Sequence, residues 1–250
     1  MEIGAGHGEM TRFLAQRASR VIAIELDQRL VPRLRKATAL LRNVEIVEGD
    51  VLSVDFEELT HSENFSVYGN LPYYITSPIL QRLFEHAEHI AAIYIVIQYE
   101  VAQRIAALPG SRDYGYLSVV SQWFARAEIE FQIPPEAFTP PPKVHSALLS
   151  LRMPGEKAGC QVPDERNFLD FVKECFAQKR KTLRNNLRAR LGTDAADILR
   201  EAGLPAEVRA EQLSVSQLAA LFRLLASNEA RENRARLPAK YSRGGPGNPS

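Results

Sequence analysis

Glu2-Ile3-Gly4-Ala5-Gly6-His7-Gly8 stands at the head of the chain and decides how it folds. Glycines at every second position let a backbone turn sharply out of a strand into a helix and approach a ligand closely. Beyond this turn, short apolar runs alternate with amphipathic stretches. Residues 21–26, 44–47, 65–68 and 90–97 read as buried strands, and residues 10–18, 28–39, 77–86 and 100–108 as the helices between them. That rhythm predicts a doubly wound α/β sheet. After residue 110 the pattern changes to strand-like runs at 118–131 and 144–151, separated by the Pro-rich stretch 134–142. Such a pair is expected to finish the sheet with an antiparallel hairpin.

From Pro163 onward the spacing is helical. Phe168, Val172, Cys175, Phe176, Leu183, Leu187 and Leu191 recur on one face, and Leu199, Leu204, Leu213, Leu218, Leu221 and Leu225 continue in shorter pieces. The expected organisation is an α/β domain over residues 1–155, a small helical domain over 163–227, and a polar, disordered tail over 228–250.

Composition agrees with a globular protein. Of 250 residues 45% are hydrophobic and 24% charged, and the apolar stretch at 90–97 is too short to span a bilayer. Together with an N-terminus that lacks a basic-then-apolar signal, this predicts a cytoplasmic protein. Cys160 and Cys175 have no neighbouring Cys or His at metal spacing, so packing is expected of them and no metal site is indicated. The net charge of +1 hides an asymmetry: residues 1–155 hold 14 Lys/Arg and 18 Asp/Glu, residues 156–250 hold 17 and 12. A basic C-terminal part suggests that this segment meets a polyanion.

The strand ends carry the chemistry. Glu25 ends the second strand 21 residues after Gly4, where a carboxylate can take both hydroxyls of a ribose. A dinucleotide site wants Gly-x-Gly-x-x-Gly, and here the third glycine comes one residue early, which disfavours a nicotinamide dehydrogenase without excluding it. Glu48-Gly49-Asp50 ends the third strand, and Asp50 can accept a hydrogen bond from an adenine amine. Gly4, Glu25, Asp50 and Asn70 thus fall at the carboxyl ends of successive strands, where open α/β sheets bind ligands.

Asn70-Leu71-Pro72-Tyr73 follows the fourth strand. Asn and Pro are both turn residues, so a simple turn is one reading. The other is chemical. The exocyclic amine of a nucleobase delocalises its lone pair into the ring, and an Asn oxygen beside a backbone carbonyl can accept both N–H bonds and draw that pair back, while an adjacent Tyr stacks on the base.

These stretches, with Gln98 to Arg104, Tyr114 to Val119, Pro134 to Ser146, Phe176 to Leu187 and Arg209 to Ser214, resemble the bacterial KsgA-type ribosomal RNA adenine dimethyltransferases over nearly the whole chain to about Leu225. The resemblance implies a Rossmann-like S-adenosylmethionine-dependent methyltransferase sheet and a small all-helical domain. It also implies dimethylation of N6 on two adjacent adenosines near the 3′ end of small-subunit (16S) ribosomal RNA, by a monomer, in an assembling 30S particle. Gly4 and Gly6 would line the cofactor, with Glu25 at its ribose, Asp50 at its adenine and Asn70 between cofactor and target base. Asn70, Leu71, Pro72, Tyr73 and Phe138 would form the catalytic site, Tyr73 and Phe138 sandwiching the adenine. His7 is expected to be incidental. Tyr99, where many members carry Lys, and Tyr74, where some carry Asn, depart from the pattern.

Between Lys173 and Arg190 stand seven basic residues, and Arg180, Arg184 and Arg188 repeat every fourth position as if along one helix ridge. Such a face is commonly just solvated. With a structured RNA as substrate, Lys179, Arg180, Lys181, Arg184 and Arg188 are expected to contact phosphates. Family members also carry a segment upstream of the glycine turn, so the chain is expected to be a fragment or late-started version whose cofactor side is incomplete. Two alternatives accompany the small-subunit enzyme: a large-subunit (23S) methyltransferase of the resistance type, disfavoured by residues 178–187, and a non-catalytic assembly factor.

Overall fold

The computed structural model describes residues 1–191 and 195–236, which fall into two compact units, one spanning Met1–Gly159 and a second beginning at Cys160. The first unit holds β1 (Glu2–Ile3), α1 (Glu9–Ala15), β2 (Val21–Glu25), α2 (Val31–Thr38), β3 (Val44–Glu48), α3 (Phe56–Thr60), β4 (Phe65–Asn70), α4 (Thr76–Phe84), β5 (Ile90–Gln98), α5 (Tyr99–Ile105), α6 (Tyr116–Phe124), β6 (Arg126–Ile133) and β7 (Ser146–Arg152). The seven strands form one sheet in the order β3-β2-β1-β4-β5-β7-β6. The first five run parallel, and β7 inserts antiparallel between β5 and β6. Parallel strands covered on both faces read as continuous apolar runs, which is why all five residues of β2 and most of β5 are buried. This is the doubly wound sheet with its terminal hairpin.

One expected strand is largely a helix. Residues 118–131 were expected to be extended throughout, but α6 occupies Tyr116–Phe124 and only β6 is strand. The run conceals its period because α6 is buried nearly all round: Ser118, Val119, Ser121, Trp123 and Phe124 are all enclosed. A helix buried on several sides loses the alternation that identifies it. The helix start is marked instead by Gly115, whose N–H donates to Ser118 Oγ at 3.0 Å.

Glu2 sits in this core 2% exposed, and its Oε2 has no hydrogen-bond partner among the described residues. Burial pushes its carboxyl from the ordinary 4.5 up to about 7, Glu25 and Glu9 add to the shift, and the Thr11 hydroxyl and the Met1 ammonium act against it. The unfolded chain gives up this proton at lower pH than the folded one. Stability is therefore full below about pH 4.5 and declines as the pH rises through about 7. Glu2→Gln is expected to remove that decline, leaving the variant equal to the parent at acid pH and more stable on the alkaline side by on the order of 1–3 kcal/mol. Denaturant melts at the two pH extremes check this; an unchanged difference between them would contradict it.

The second unit contains α7 (Glu165–Cys175), α8 (Leu183–Asn186), α9 (Arg188–Leu191), α10 (Ala195–Glu201) and α11 (Val215–Arg236). Phe168, Phe171 and Val172 of α7 and Leu183 and Leu187 around α8 are fully enclosed, as are Leu199 of α10 and Leu218 and Leu221 of α11. Phe222 meets Phe168 and Phe171 at ring separations of 5.6 and 5.5 Å. A tail was expected from residue 228, but α11 continues through Arg236. Residues 228–236 read Asn-Glu-Ala-Arg-Glu-Asn-Arg-Ala-Arg, and Ala, Glu and Arg are strong helix formers that extend a helix already nucleated by packing. The remainder of the expected tail, 237–250, lies outside the described residues. Among the described residues no helix is long and apolar enough to cross a membrane.

Candidate functional site

The carboxyl ends of β1, β2, β3 and β4 bring Gly4, Glu25, Asp50 and Asn70 to one edge of the sheet. Gly4 and Gly6 adopt φ of +72° and +59°, a region that costs L residues with a Cβ about 1 kcal/mol or more. Gly4 N–H donates to Ile24 O at 2.9 Å, which fastens the turn to β2. A side chain at Gly6 would meet nothing within 4 Å, so the turn has an open face. One at Gly4 would point its Cβ to within 3.8 Å of Asn70 O. The glycine turn and the Asn70 segment are therefore adjacent walls of one groove.

Glu25 shapes this groove. Its carboxylate is 7% exposed and accepts from Gly6 N–H at 2.7 Å and from Asp27 N–H at 2.8 Å. Each oxygen keeps a second acceptor position, which a pair of ribose hydroxyls can use. Asp50 is half-buried and accepts from Leu52 N–H at 2.9 Å through Oδ1, so it also shapes its own turn. Leu26, immediately after Glu25, is 61% exposed, an apolar surface at the site that sequence reading passed over because a lone exposed leucine has no pattern. His7 is exposed and faces Arg33 of α2 at 3.3 Å.

Asn70 is the last residue of β4, exposed, and its side-chain amide makes no hydrogen bond to the described chain. Leu71 is 2% exposed and its N–H donates to Val96 O at 3.1 Å, so the segment is pinned by the residue next to Asn70. Of the two neighbouring carbonyls, Pro72 O already accepts from Ile75 N–H at 3.1 Å and from Thr76 Oγ1 at 3.4 Å. Leu71 O remains the available one. The Tyr73 hydroxyl is 2.7 Å from Oγ of Ser146, a fully enclosed residue at the start of β7. That bond anchors the tip of the Tyr73 ring and so the direction of its axis, and it joins residues 73 apart, so no local pattern reveals it. Phe138 is half-buried at the end of the short 3-10 turn Pro135–Ala137, its N–H donating to Pro135 O at 3.1 Å.

A cavity of about 690 Å3 lies at the other end of the sheet, lined by Arg20 and Val21 at the start of β2 and by Phe65 and Ser66 at the start of β4. Ligands of open α/β sheets sit at the carboxyl ends, and the groove there holds the glycine turn and the free Asn70 amide.

In the second unit the expected basic ridge is broken. α7 stops at Cys175, so Arg180 lies in a turn, Arg184 on α8 and Arg188 at the start of α9. Side chains make the break where the sequence shows no Gly or Pro: Asn186 Nδ2 donates to Cys175 O at 2.6 Å and to Gln178 O at 3.3 Å, and Thr182 Oγ1 caps α8 by accepting from Asn185 N–H. Lys179, Arg180, Lys181, Arg184 and Arg188 are nonetheless all exposed. Arg190 is not part of that set, because it pairs with Glu174 at 3.3 Å and lies over the Phe171 ring.

The carboxyl-end groove also carries a charge signature. Glu25 stands beside the glycine turn and Glu9 occupies the first turn of α1, so a pyrophosphate here would meet carboxylates, whereas a cationic ligand with a ribose fits. Fold and site together define an S-adenosylmethionine-dependent methyltransferase. The chain belongs to the ribosomal RNA adenine dimethylase family, whose model matches residues 1–227. It is 50% identical over 228 residues to the ribosomal RNA small subunit methyltransferase A of Acidobacterium capsulatum, covering 90% of this chain and 80% of that one. It is 44% identical over 236 residues to the protein of the same name in Koribacter versatilis, covering 89% and 82%. Among solved structures it resembles a dimethyladenosine transferase from Plasmodium falciparum with a TM-score of 0.78 and 25% identity, covering 91% of this chain and 89% of that one. The 23S rRNA methyltransferase ErmE matches with a TM-score of 0.69 and 28% identity, covering 90% and 89%.

Proposed function

We propose that this chain dimethylates N6 of two adjacent adenosines near the 3′ end of small-subunit ribosomal RNA, acting in the cytoplasm as a monomer on an assembling 30S particle. The observation that carries the reading is the unpartnered Asn70 amide beside the available Leu71 O, with the glycine turn as the neighbouring wall. Relatives named for the small subunit favour this acceptor over the large-subunit one.

Gly4 and Gly6 would hold the cofactor closely, Glu25 its ribose and Asp50 its adenine, with Leu26 offering an apolar face. S-adenosylmethionine, when bound, supplies an electrophilic methyl group on a sulfonium. Asn70 Oδ1 and Leu71 O would each accept one N–H of the target amine. That draws its lone pair out of conjugation and aims it at the cofactor side of the groove. Asn70 is no base, and none is required: the amine proton becomes acidic as the nitrogen takes on positive charge and leaves to water. Tyr73 and Phe138 would stack on the base, each contributing on the order of 1–3 kcal/mol.

The Ser146 bond tests whether Tyr73 needs a fixed ring. Tyr73→Phe and Ser146→Ala are each expected to slow methyl transfer about 5-fold with little change in melting temperature, and the double variant to be no slower than either alone. Multiplying losses would contradict the coupling. In the second unit, neutralising Arg180, Arg184 and Arg188 together is expected to weaken RNA binding and flatten the plot of log K against log salt by about 2–3. An unchanged slope would remove those residues from the interface. For the function itself, undermethylated small subunits and labelled S-adenosylmethionine should yield labelled dimethyladenosine. Binding without transfer would favour the assembly-factor reading.

A further inference from the structure

A polar recess of about 340 Å3 lies at the carboxyl end of β5, lined by Gln98, Tyr99, Gln103, Gln132, Lys143 and His145. Gln98 stands at the N-cap of α5 but its side chain caps nothing. The amides of Gln98, Gln103 and Gln132 and the ammonium of Lys143 make no hydrogen bond or ion pair with the described chain. Glu100, the acidic residue on its rim, is paired with Arg104. Three residues with uncommitted amides thus line one concavity, Gln98 and Gln132 from alternate faces of the strand ends, beside an aromatic ring and a cation with no partner among the described residues. Each amide presents a donor beside an acceptor, the arrangement that matches the edge of a nucleobase, and Lys143 suits a phosphate.

The recess adjoins the target site. His145 lines it, and the next residue, Ser146, holds the Tyr73 hydroxyl. Ser146 is register partner to Gln98 on β5 and to Ile133 on β6, so recess and Tyr73 meet at one strand end. Asn70 is paired with Val96, two residues before Gln98 on β5. At ~3.3 Å per residue that offset is ~7 Å along the strand, the scale of a single step along a nucleotide chain with splayed bases.

We propose that this recess is a second nucleotide subsite, which takes the adenine and backbone phosphate of the residue adjacent to the target adenosine. The proposal rests on the reading of Asn70 as the site of the reacting amine. It gives adjacent adenosines a physical role: while one lies between Tyr73 and Phe138, the other occupies the recess and fixes the register of the strand.

The experiment measures single-turnover methylation by the full chain and by the Gln98→Ala/Gln132→Ala variant, whose folding is confirmed by its melting temperature. Acceptors are undermethylated small subunits reconstituted with normal rRNA, or with each of the two adjacent adenosines replaced in turn by an abasic residue, so that the other is the sole acceptor. The parent is expected to lose about 10-fold when the neighbouring base is missing. The variant is expected to be about 10-fold slower on normal subunits and to lose nothing more on the abasic acceptor. A variant as fast as the parent on normal subunits, or one that loses a further tenfold on both abasic acceptors, would overturn the subsite while leaving the Asn70 site standing. No transfer by the parent to normal subunits would overturn both.

Discussion

Asn70→Ala is expected to lower the single-turnover rate of methyl transfer by about 10^3-fold while S-adenosylmethionine binding stays within about 3-fold of the parent. The size follows from what the side chain does. It accepts one N–H of an amine whose lone pair is otherwise delocalised, and that interaction strengthens only as the nitrogen becomes tetrahedral, so its loss falls on kcat. The fold should not suffer: the Asn70 side chain is exposed and bonds to nothing in the described chain, and the segment is held by Leu71, Val96 and the Tyr73–Ser146 bond. Asn70→Gln carries the same amide one methylene farther and should lose nearly as much, because position, not chemistry, is what it changes. A fully active Asn70→Ala enzyme would mean that the amine is held elsewhere.

Gly155→Ala should be the most damaging single methyl in the first unit. A Cβ at this position would lie 2.4 Å from both Ala125 N and Gln122 O and 2.8 Å from Phe124 C. All three are backbone atoms at the junction of α6 and β6, where Gly155 N–H also donates to Phe124 O at 2.8 Å. Side chains can rotate away from an intruding atom; a helix end cannot. We expect a loss of about 3 kcal/mol or more, and a fall in melting temperature of roughly 6–12 °C. Gly115→Ala is the control, since its backbone is extended and a Cβ there meets nothing within 4 Å. It should melt within about 2 °C of the parent. Equal melting temperatures for the two variants would contradict the close packing at Gly155.

The fold was legible wherever one short element carried its own signal. The glycine turn, the apolar strands β2 and β5 and the Asn70 tetrapeptide declare themselves locally, because turn geometry and burial on both faces are written in consecutive residues. α6 misled because its enclosure erased the helical period. The basic ridge misled for the opposite reason: a spacing of four looks helical, but Asn186 and Thr182 spend their side chains ending one helix and starting another. Contacts between distant residues left no trace. Ser146 is one seryl residue at the head of an ordinary strand until the sheet brings it to the Tyr73 hydroxyl. Gln98, Gln103 and Gln132 are scattered over three elements and line one recess only when β5, α5 and β6 assemble.

The central claim is that the Asn70 groove dimethylates adenosine in small-subunit RNA. Undermethylated small subunits and unmodified large subunits, offered together with labelled S-adenosylmethionine, test it most directly when the label is mapped by nucleotide. The account predicts two methyl groups on N6 of each of two adjacent adenosines in the small-subunit RNA, deposited about 10^3-fold more slowly by Asn70→Ala. Label on large-subunit adenosine, or small-subunit labelling by Asn70→Ala at the parent's rate, would contradict it.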